Sequence, residues 1–288
     1  MDISARKITE RSAASLLLPK KNFEIGRLTS GSSTSPEEKA PPYEIIAESE
    51  QSPVIPSVTV IVSLYNYRRY IIECLESVKP QTIGELDLIV ADDCSTDDSA
   101  EIAHRWLIEN GGRFSKYLLI RHKVNSGPSA TRNTAFARSR TKYVFVLDAD
   151  NLLYPRCLER LVSALDNCDA SFAYSYIERF GEASSLLNTR PWNPGTLQHG
   201  NTIDAMVLLR RSIWEKVGGY STNAVMRLGW EDYELWFKIA RINGWGIHVP
   251  EILGRYRVHH DSLLHTTTNP NVDKLWVYLR SNYPEFFP

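Results

Sequence analysis

Val58-Thr59-Val60-Ile61-Val62-Ser63-Leu64 is an almost unbroken apolar run rich in β-branched residues. A strand with one wet face alternates apolar and polar residues. A run this continuous suits a strand covered on both faces, as in a parallel sheet. Similar runs recur at 86–91 (L-D-L-I-V-A), Lys116–His122 and 143–147 (Y-V-F-V-L). Between them, 69–78, 97–109 and 129–138 have amphipathic helical spacing, and 155–165 follows the fourth run in the same way. Lys79-Pro80 ends the first of these helices, because the residue before proline disfavours helical geometry. Ser95 or Thr96 caps the second, and Gly111-Gly112 stops it. Strand and helix therefore alternate at regular spacing. That predicts right-handed βαβ units in an open α/β fold with a mostly parallel central sheet flanked by helices.

Further along, the pattern loosens. Residues 170–177 and 205–209 read as strands, 178–200 as a long loop, 212–217 as a short helix and 230–242 as a longer one. Residues 246–249 and 252–257 read as two closing strands. Toward the start, 29–42 is rich in Ser, Thr, Pro, Glu and Lys and reads as linker or disorder, with a short helix expected at 5–18. No internal repeat is visible.

The bulk numbers exclude several classes. A chain of 288 residues with 43% hydrophobic and 23% charged residues is ordinary for a globular protein. Its net charge of −1 gives no reason to expect nucleic acid as a partner, since such proteins carry a basic excess. Cys74, Cys94, Cys157 and Cys168 form no C-x-x-C pair, so neither a zinc knuckle nor a thioredoxin-like motif is expected. Scattered cysteines fit a reducing compartment. No stretch reaches the roughly 20 apolar residues that span a bilayer. The expectation is a cytoplasmic protein, with peripheral contact at the inner face of a membrane left open because it needs no spanning segment.

In open α/β sheets, ligands sit beyond the carboxyl ends of the strands. Here the four strands are followed by Ser63-Leu64-Tyr65-Asn66, by Asp92-Asp93-Cys94-Ser95-Thr96-Asp97, by Asn125-Ser126-Gly127 and by Asp148-Ala149-Asp150-Asn151. Polar and acidic groups thus converge on one rim. Two carboxylates one residue apart at a strand end can share a hard cation, Mg²⁺ or Mn²⁺, and bridge it to phosphates. The same triplet also reads as a turn that contains two aspartates. Asp92 and Asp93 read either as loop acids beside a helix cap or as acceptors for a base N–H or ribose hydroxyl.

Taken in order, these segments resemble the family 2 glycosyltransferases of GT-A fold. Residues 58–66 resemble the family's opening strand and T/S-x-Y-N turn, and 88–97 its V-V-D-D-x-S-x-D segment. Asn125-x-Gly127 with Ala130-Thr131-Arg132-Asn133 resembles N-x-G…A-R-N. Residues 146–151 resemble L-D-x-D-D, with Asn151 in place of the last Asp. Gly229-Trp230-Glu231-Asp232-Tyr233-Glu234-Leu235 resembles G-x-E-D-x-x-L, and Tyr256-Arg257-Val258-His259 with Ser262 resembles Y-R-x-H…S.

The resemblance implies transfer of a sugar from a nucleotide-diphosphate sugar, UDP by default, to a glycan, lipid-linked or protein acceptor. It implies metal assistance by Mn²⁺ or Mg²⁺ and inversion. It covers about 57–265 and divides it into a nucleotide-binding half at 56–151 and a smaller acceptor-binding half at 152–265; composition makes 1–55 a flexible extension, and 266–288 is left as a tail. It assigns Ser63, Tyr65, Asp92, Asp93, Arg132 and Asp148 to the nucleotide, with Asp93 nearest the base and Asp92 in support, and Asp148, Asp150 and His259 to the metal. Asp232 becomes the catalytic base, Glu231 orients it or helps hold the acceptor, and Trp230 joins the acceptor site. On position alone, Glu231 and Asp232 also read as acids that stabilise a helix N-terminus. Arg132 reads equally as a partner for phosphate or for an acid such as Asp93. His259 and His260 read equally as surface groups, and Trp230, Trp236 and Trp192 as core. A nucleotidyltransferase, or a non-catalytic nucleotide-sugar binder on the same fold, are the competing functions. Neither a G-x-x-x-x-G-K-[ST] loop nor G-x-G-x-x-G follows the first strand, which argues against P-loop and dinucleotide-binding enzymes.

Overall fold

The computed structural model describes residues 40–288; the helix expected at 5–18 and most of the 29–42 linker lie outside the described residues. In chain order the first part runs β1 (Tyr43–Glu50), β2 (Val58–Leu64), α1 (Ile71–Val78), β3 (Asp87–Asp92), α2 (Ser99–Asn110), β4 (Lys116–His122), α3 (Pro128–Arg138) and β5 (Tyr143–Asp148). Then come β6 (Leu152–Leu153), α4 (Cys157–Asp166), β7 (Phe172–Gly181), β8 (Ser185–Leu187), β9 (Leu208–Arg210) and α5 (Arg211–Lys216). The chain closes with α6 (Glu231–Arg241), β10 (Gly246–Val258) and α7 (Val272–Asn282).

The opening run behaves as a doubly covered strand. Val58, Thr59, Val60, Ile61 and Val62 are each 0% exposed. β2 pairs in parallel with β3 and β5, and β3 in parallel with β4. Successive side chains of β2 point to opposite faces, so one strand feeds two cores. Val58, Val60, Val62 and Leu64 join Ile71 and Leu75 of α1, Leu107 of α2 and Leu161 of α4. Ile61 joins Phe136 of α3 and Trp236 and Phe237 of α6 on the other face.

The sheet order is β1-β4-β3-β2-β5-β9-β7-β10-β6, with β8 on β7. The chain leaves β2 toward β3 and β4, then crosses back through α3 to β5 on the other side of β2. This reversal opens a crevice beyond the ends of β2 and β5. The register sets Ser63 beside Asp148 there, and Leu64 beside Asp92.

Several elements differ from the expectations. Tyr43–Glu50 falls inside the extension expected to be flexible over 1–55, yet it is an antiparallel edge strand on β4. Its Glu residues suit an exposed edge, which charges protect from further pairing. The 178–200 loop is partly sheet: β7 runs on to Gly181 and folds back as β8. Its polar end is recruited by parallel pairing with β10, so tertiary pairing overrides local composition. The two closing strands are one, β10, with irregular register between Val249 and Gly254. Pro250 sits in that irregular stretch, where a missing N–H is tolerated. The 205–209 strand shrinks to β9, because Asp204 accepts the Met206 N–H at 2.9 Å and Val207 bonds back to Ala205. Residues 272–282 form α7, whose Leu275 and Leu279 are fully buried.

Candidate active site

A cleft of about 1060 Å³ lies at the crevice between β2 and β5. The strand ends, the N-terminus of α6 and the chain after β10 form its walls. Ser63, Tyr65, Asp93, Arg132, Asp148, Asp150, Trp230, Glu231, Asp232 and His259 all line it. Asp92 does not. Its carboxylate accepts the Ser95 N–H at 3.1 Å and pairs with Arg121 at 3.3 Å, so it braces the turn after β3 instead of facing a ligand.

Two turns are locked by side chains. Asn66, in left-handed geometry after β2, accepts the Thr96 N–H at 2.8 Å and so ties the first two strand ends together. Asp93 accepts the Ser126 and Gly127 N–H groups at 2.8 and 2.7 Å, and His122 lies 2.8 Å from it. Three of the acceptor positions on Asp93 are therefore filled, leaving lone-pair capacity on Oδ2 for one more donor.

Arg132 does not pair with Asp93. Its guanidinium bridges Asp148 at the end of β5, 2.7 Å away, and Glu231 at the start of α6. Arg132 is 3% exposed, so this bridge is buried and clamps two halves of the cleft together. Replacing Arg132 with Met strands both acids. Removing one partner of a buried ion pair costs about 3–5 kcal/mol, and on the order of 10 °C in melting temperature is the expected loss by calorimetry.

The remaining acids carry little neutralising charge. Asp150 is 7% exposed and lies 3.0 Å from His259 Nε2, whose ring sits among Tyr67 and Tyr70. Burial raises the Asp150 carboxyl, His259 pulls it back, and Asp148 raises it again. Asp232 accepts from Asn201 Nδ2 at 2.8 Å and from the Tyr233 N–H at 2.7 Å. Burial, and then Glu231 and Asp204, push it up to about 8. Asp204 is pushed up to about 7, chiefly by burial and then by Asp148. His259 is buried whereas His260 is exposed and pairs with Glu182, so the two histidines separate. Ser63 Oγ, His259 Nδ1 and Arg132 Nε are buried without partners.

Trp230 lines the cleft in a left-handed conformation at the cap of α6, packed edge-on against Tyr233 and Trp276. Preceding Gly229 has φ 115°, and a Cβ there would lie 2.2 Å from Thr268 Oγ1. Trp236 is core, stacked on Phe172, and Trp192 packs edge-on to the same ring. Asn151, which replaces the last motif acid, is 1% exposed and accepts the Arg257 N–H at 2.9 Å. It fastens β10 to the end of β5.

Asn201, Asp204, Arg227, Asp261, Leu263, Leu264 and Thr266–Thr268 also line the cleft without any signal in the motifs, whereas Ser262 of the closing motif lines it as well. Arg227 donates to Asn125 at 2.9 Å. A lone Asp before a short apolar run carried no usable signal for Asp204. Among the described residues, no group of three His, Cys, Asp or Glu stands close enough to form a ready-made metal cage. No helix of the described residues is long and apolar enough to cross a membrane.

Comparison with known proteins agrees with this architecture. The family described as Glycosyl transferase family 2 matches residues 59–227, more than half of the chain. The protein named "Putative glycosyltransferase EpsE" of Bacillus subtilis (strain 168) is 28% identical over 213 residues, covering 72% of this chain and 74% of EpsE. The UDP-Glc:alpha-D-GlcNAc-diphosphoundecaprenol beta-1,3-glucosyltransferase WfaP of Escherichia coli is 26% identical, covering 72% of this chain and 79% of WfaP. Among solved structures, S. aureus TarS 1–349 in complex with UDP-GlcNAc matches with a TM-score of 0.62 at 17% identity, covering 73% of this chain and 61% of that one. The mannosyltransferase PcManGT of Pyrobaculum calidifontis, in complex with GDP-Man and Mn²⁺, matches with a TM-score of 0.58 at 21% identity, covering 77% and 62%. The chain thus spans about three fifths of these two structures. It belongs to glycosyl transferase family 2, a family of transferases, and its fold is of the GT-A type.

Proposed function

We propose that the chain moves a sugar from a nucleotide-diphosphate sugar, a UDP-sugar by default, onto an acceptor hydroxyl with inversion and with help from a divalent cation. One observation carries this reading. A single cleft gathers Asp148, Asp150, Asp204, Glu231 and Asp232, and among the described residues that line it Arg132 is the one cation bonded to these acids through its side chain. Five carboxyl groups against one guanidinium, all buried or half-buried, leave an excess of acid that fits a cation bound against a diphosphate.

The donor atoms suit such an ion. Asp148 and Asp150 offer carboxylate oxygens, His259 Nε2 stands 3.0 Å from Asp150, and the neighbouring Ser63 hydroxyl is unpartnered. Mg²⁺ and Mn²⁺ both prefer oxygen-rich sets. Bound there, the ion would offset negative charge on the departing diphosphate without a proton transfer. Ser63, Tyr65 and the spare acceptor of Asp93 face the nucleotide, in the half at 56–151. Arg132 sets the spacing of Asp148 and Glu231. Because Glu231 is held by Arg132, we assign the proton-taking role to Asp232, with Glu231 fixing the start of α6. Trp230 offers an apolar face to the acceptor in the half at 152–265. A lone base opposite the leaving group implies direct displacement and inversion, by the logic documented for glycosidases. The acceptor printed in WfaP's name is lipid-linked, which makes that class the first to test, in a cytoplasmic protein working at the inner face of a membrane.

A base must be deprotonated to act. Asp232 sits near 8 without ligands, so release of nucleoside diphosphate from UDP-sugars should rise as pH increases from 6 to 8.5. Stability should move the opposite way. Asp204 and Asp232 have folded values raised above the unfolded ~3.9, so their contribution is complete below that value and is lost as pH rises through about 7 and about 8. The metal-free protein should therefore melt lower at pH 8.5 than at pH 6. Turnover that is flat with pH, or absent with every UDP-, GDP- and dTDP-sugar, would count against the reading.

A further inference from the structure

We infer that His122 is a positioning residue for the nucleotide: its buried imidazole, anchored by Thr134, aims the Asp93 carboxylate at a ring N–H of the base. This rests on the transferase reading above, which sets Asp93 against the nucleotide. It adds a residue that touches no ligand.

His122 ends β4, is 1% exposed and does not line the cleft. Its Nδ1 stands 2.8 Å from Asp93 Oδ1, and its Nε2 stands 3.0 Å from Thr134 Oγ1 on α3. Oδ1 also accepts the Ser126 N–H, and Oδ2 accepts the Gly127 N–H. With both Asp93 oxygens accepting, the imidazole proton belongs on Nδ1, where it donates to the carboxylate. The Thr134 hydroxyl, itself buried and 2.9 Å from the Ala130 carbonyl, holds the far side of the ring. A chain of contacts therefore runs from the interior of α3, through the imidazole, to the acid that faces the cleft.

That chain ties Asp93 to the rigid sheet. Ser126 and Gly127 belong to the loop after β4, whereas His122 belongs to β4 itself, which is paired with β1 on one side and β3 on the other. The backbone turns sharply here, because Cys94, directly after Asp93, is left-handed at φ 63°. Such a conformation persists where the surroundings over-determine it. Without the imidazole, the loop amides alone would hold the carboxylate.

The aim of Asp93 matters for the choice of donor. An acceptor fixed in place favours bases with a ring N–H, which are uracil and thymine at N3 and guanine at N1. A site built to bond such a group rejects an analogue that lacks it.

Calorimetric titration of UDP, GDP and dTDP, with Mn²⁺, into the full chain and its variants tests the inference. His122→Leu keeps bulk and loses both bonds. It should weaken the best-binding nucleotide about tenfold, as loss of a hydrogen bond to a charged group implies. His122→Asn sets an amide N–H near the former Nδ1 and should restore affinity to within about threefold of the wild type, a rescue that packing alone does not produce. The N-methylated form of the same base lacks the ring N–H, and its deficit against the parent nucleotide should shrink in His122→Leu. Thr134→Val removes the far anchor at nearly constant shape and should weaken binding about threefold; it decides alone should the leucine variant fail to fold. The inference is overturned if His122→Leu binds like the wild type, if His122→Asn is as weak as His122→Leu, or if the deciding Thr134→Val binds like the wild type. Each of these leaves nucleotide binding by the wild type, and with it the transferase reading, in place. A wild type that binds none of the three nucleotides sinks both.

Discussion

Asp232→Asn should cut sugar transfer roughly a thousandfold, within the range a general base contributes, while donor affinity stays within about twofold. The asymmetry follows from where Asp232 sits. Its oxygens take the Asn201 amide and the Tyr233 N–H, and it makes no ion pair. Glu231 beside it is pinned by Arg132 and is poorly placed to substitute. The same substitution should leave the melting temperature at pH 8 unchanged or higher, because it removes one of three mutually repelling acids; burial, then Glu231 and Asp204, hold Asp232 up at about 8. A residue that destabilises the fold it sits in while supporting turnover is serving function, not stability. Steady-state kinetics and calorimetry on the same preparation check both halves. A non-catalytic nucleotide-sugar binder would have no turnover to lose, and retained transfer by the variant would move the base elsewhere.

Asp150→Ala should abolish dependence on divalent cations and lower kcat/KM by about a thousandfold, since a metal stabilising a leaving group supplies several kcal/mol and each 1.4 kcal/mol is tenfold. Asp150 is the acid that His259 holds from behind, 3.0 Å away, with no arginine side chain on its carboxylate. Asp148, by contrast, already spends one oxygen on Arg132. Of the two aspartates, Asp150 is the freer to ligate. Rates measured across Mn²⁺ and Mg²⁺ concentrations should show saturation in the wild type and none in the variant. An Asp150→Ala protein that still responds to metal would shift the site to other acids.

The parallel half of the fold was legible because β2 and its neighbours are buried on both faces, and doubly buried strands write themselves as unbroken apolar runs. The rim of acids was legible for the same reason: each run stops where the side chains become polar. Contacts that join distant segments left no such trace. Arg132 and Glu231 are 99 residues apart, and nothing local distinguishes that bridge from an Arg132–Asp93 pair. Asn201 and Asp204 are held by Asp232 and Asn188, 31 and 16 residues away, contacts that local sequence does not show. β1 was hidden by its charges, which protect an edge, and α7 by the absence of any motif in a short C-terminal stretch. Of the two acids after β3, the motif sets Asp93 toward the ligand with Asp92 behind it in support, and Asp92 indeed bonds within the turn while Asp93 lines the cleft.

Acids gathered on one rim of the sheet are proposed to hold a cation against the donor's diphosphate. Calorimetric titration of UDP into the wild-type protein, with Mn²⁺ and then with EDTA, tests it most directly. The account predicts binding at least about tenfold tighter with the metal, a difference of about 1.4 kcal/mol. Equal affinity under both conditions would contradict it.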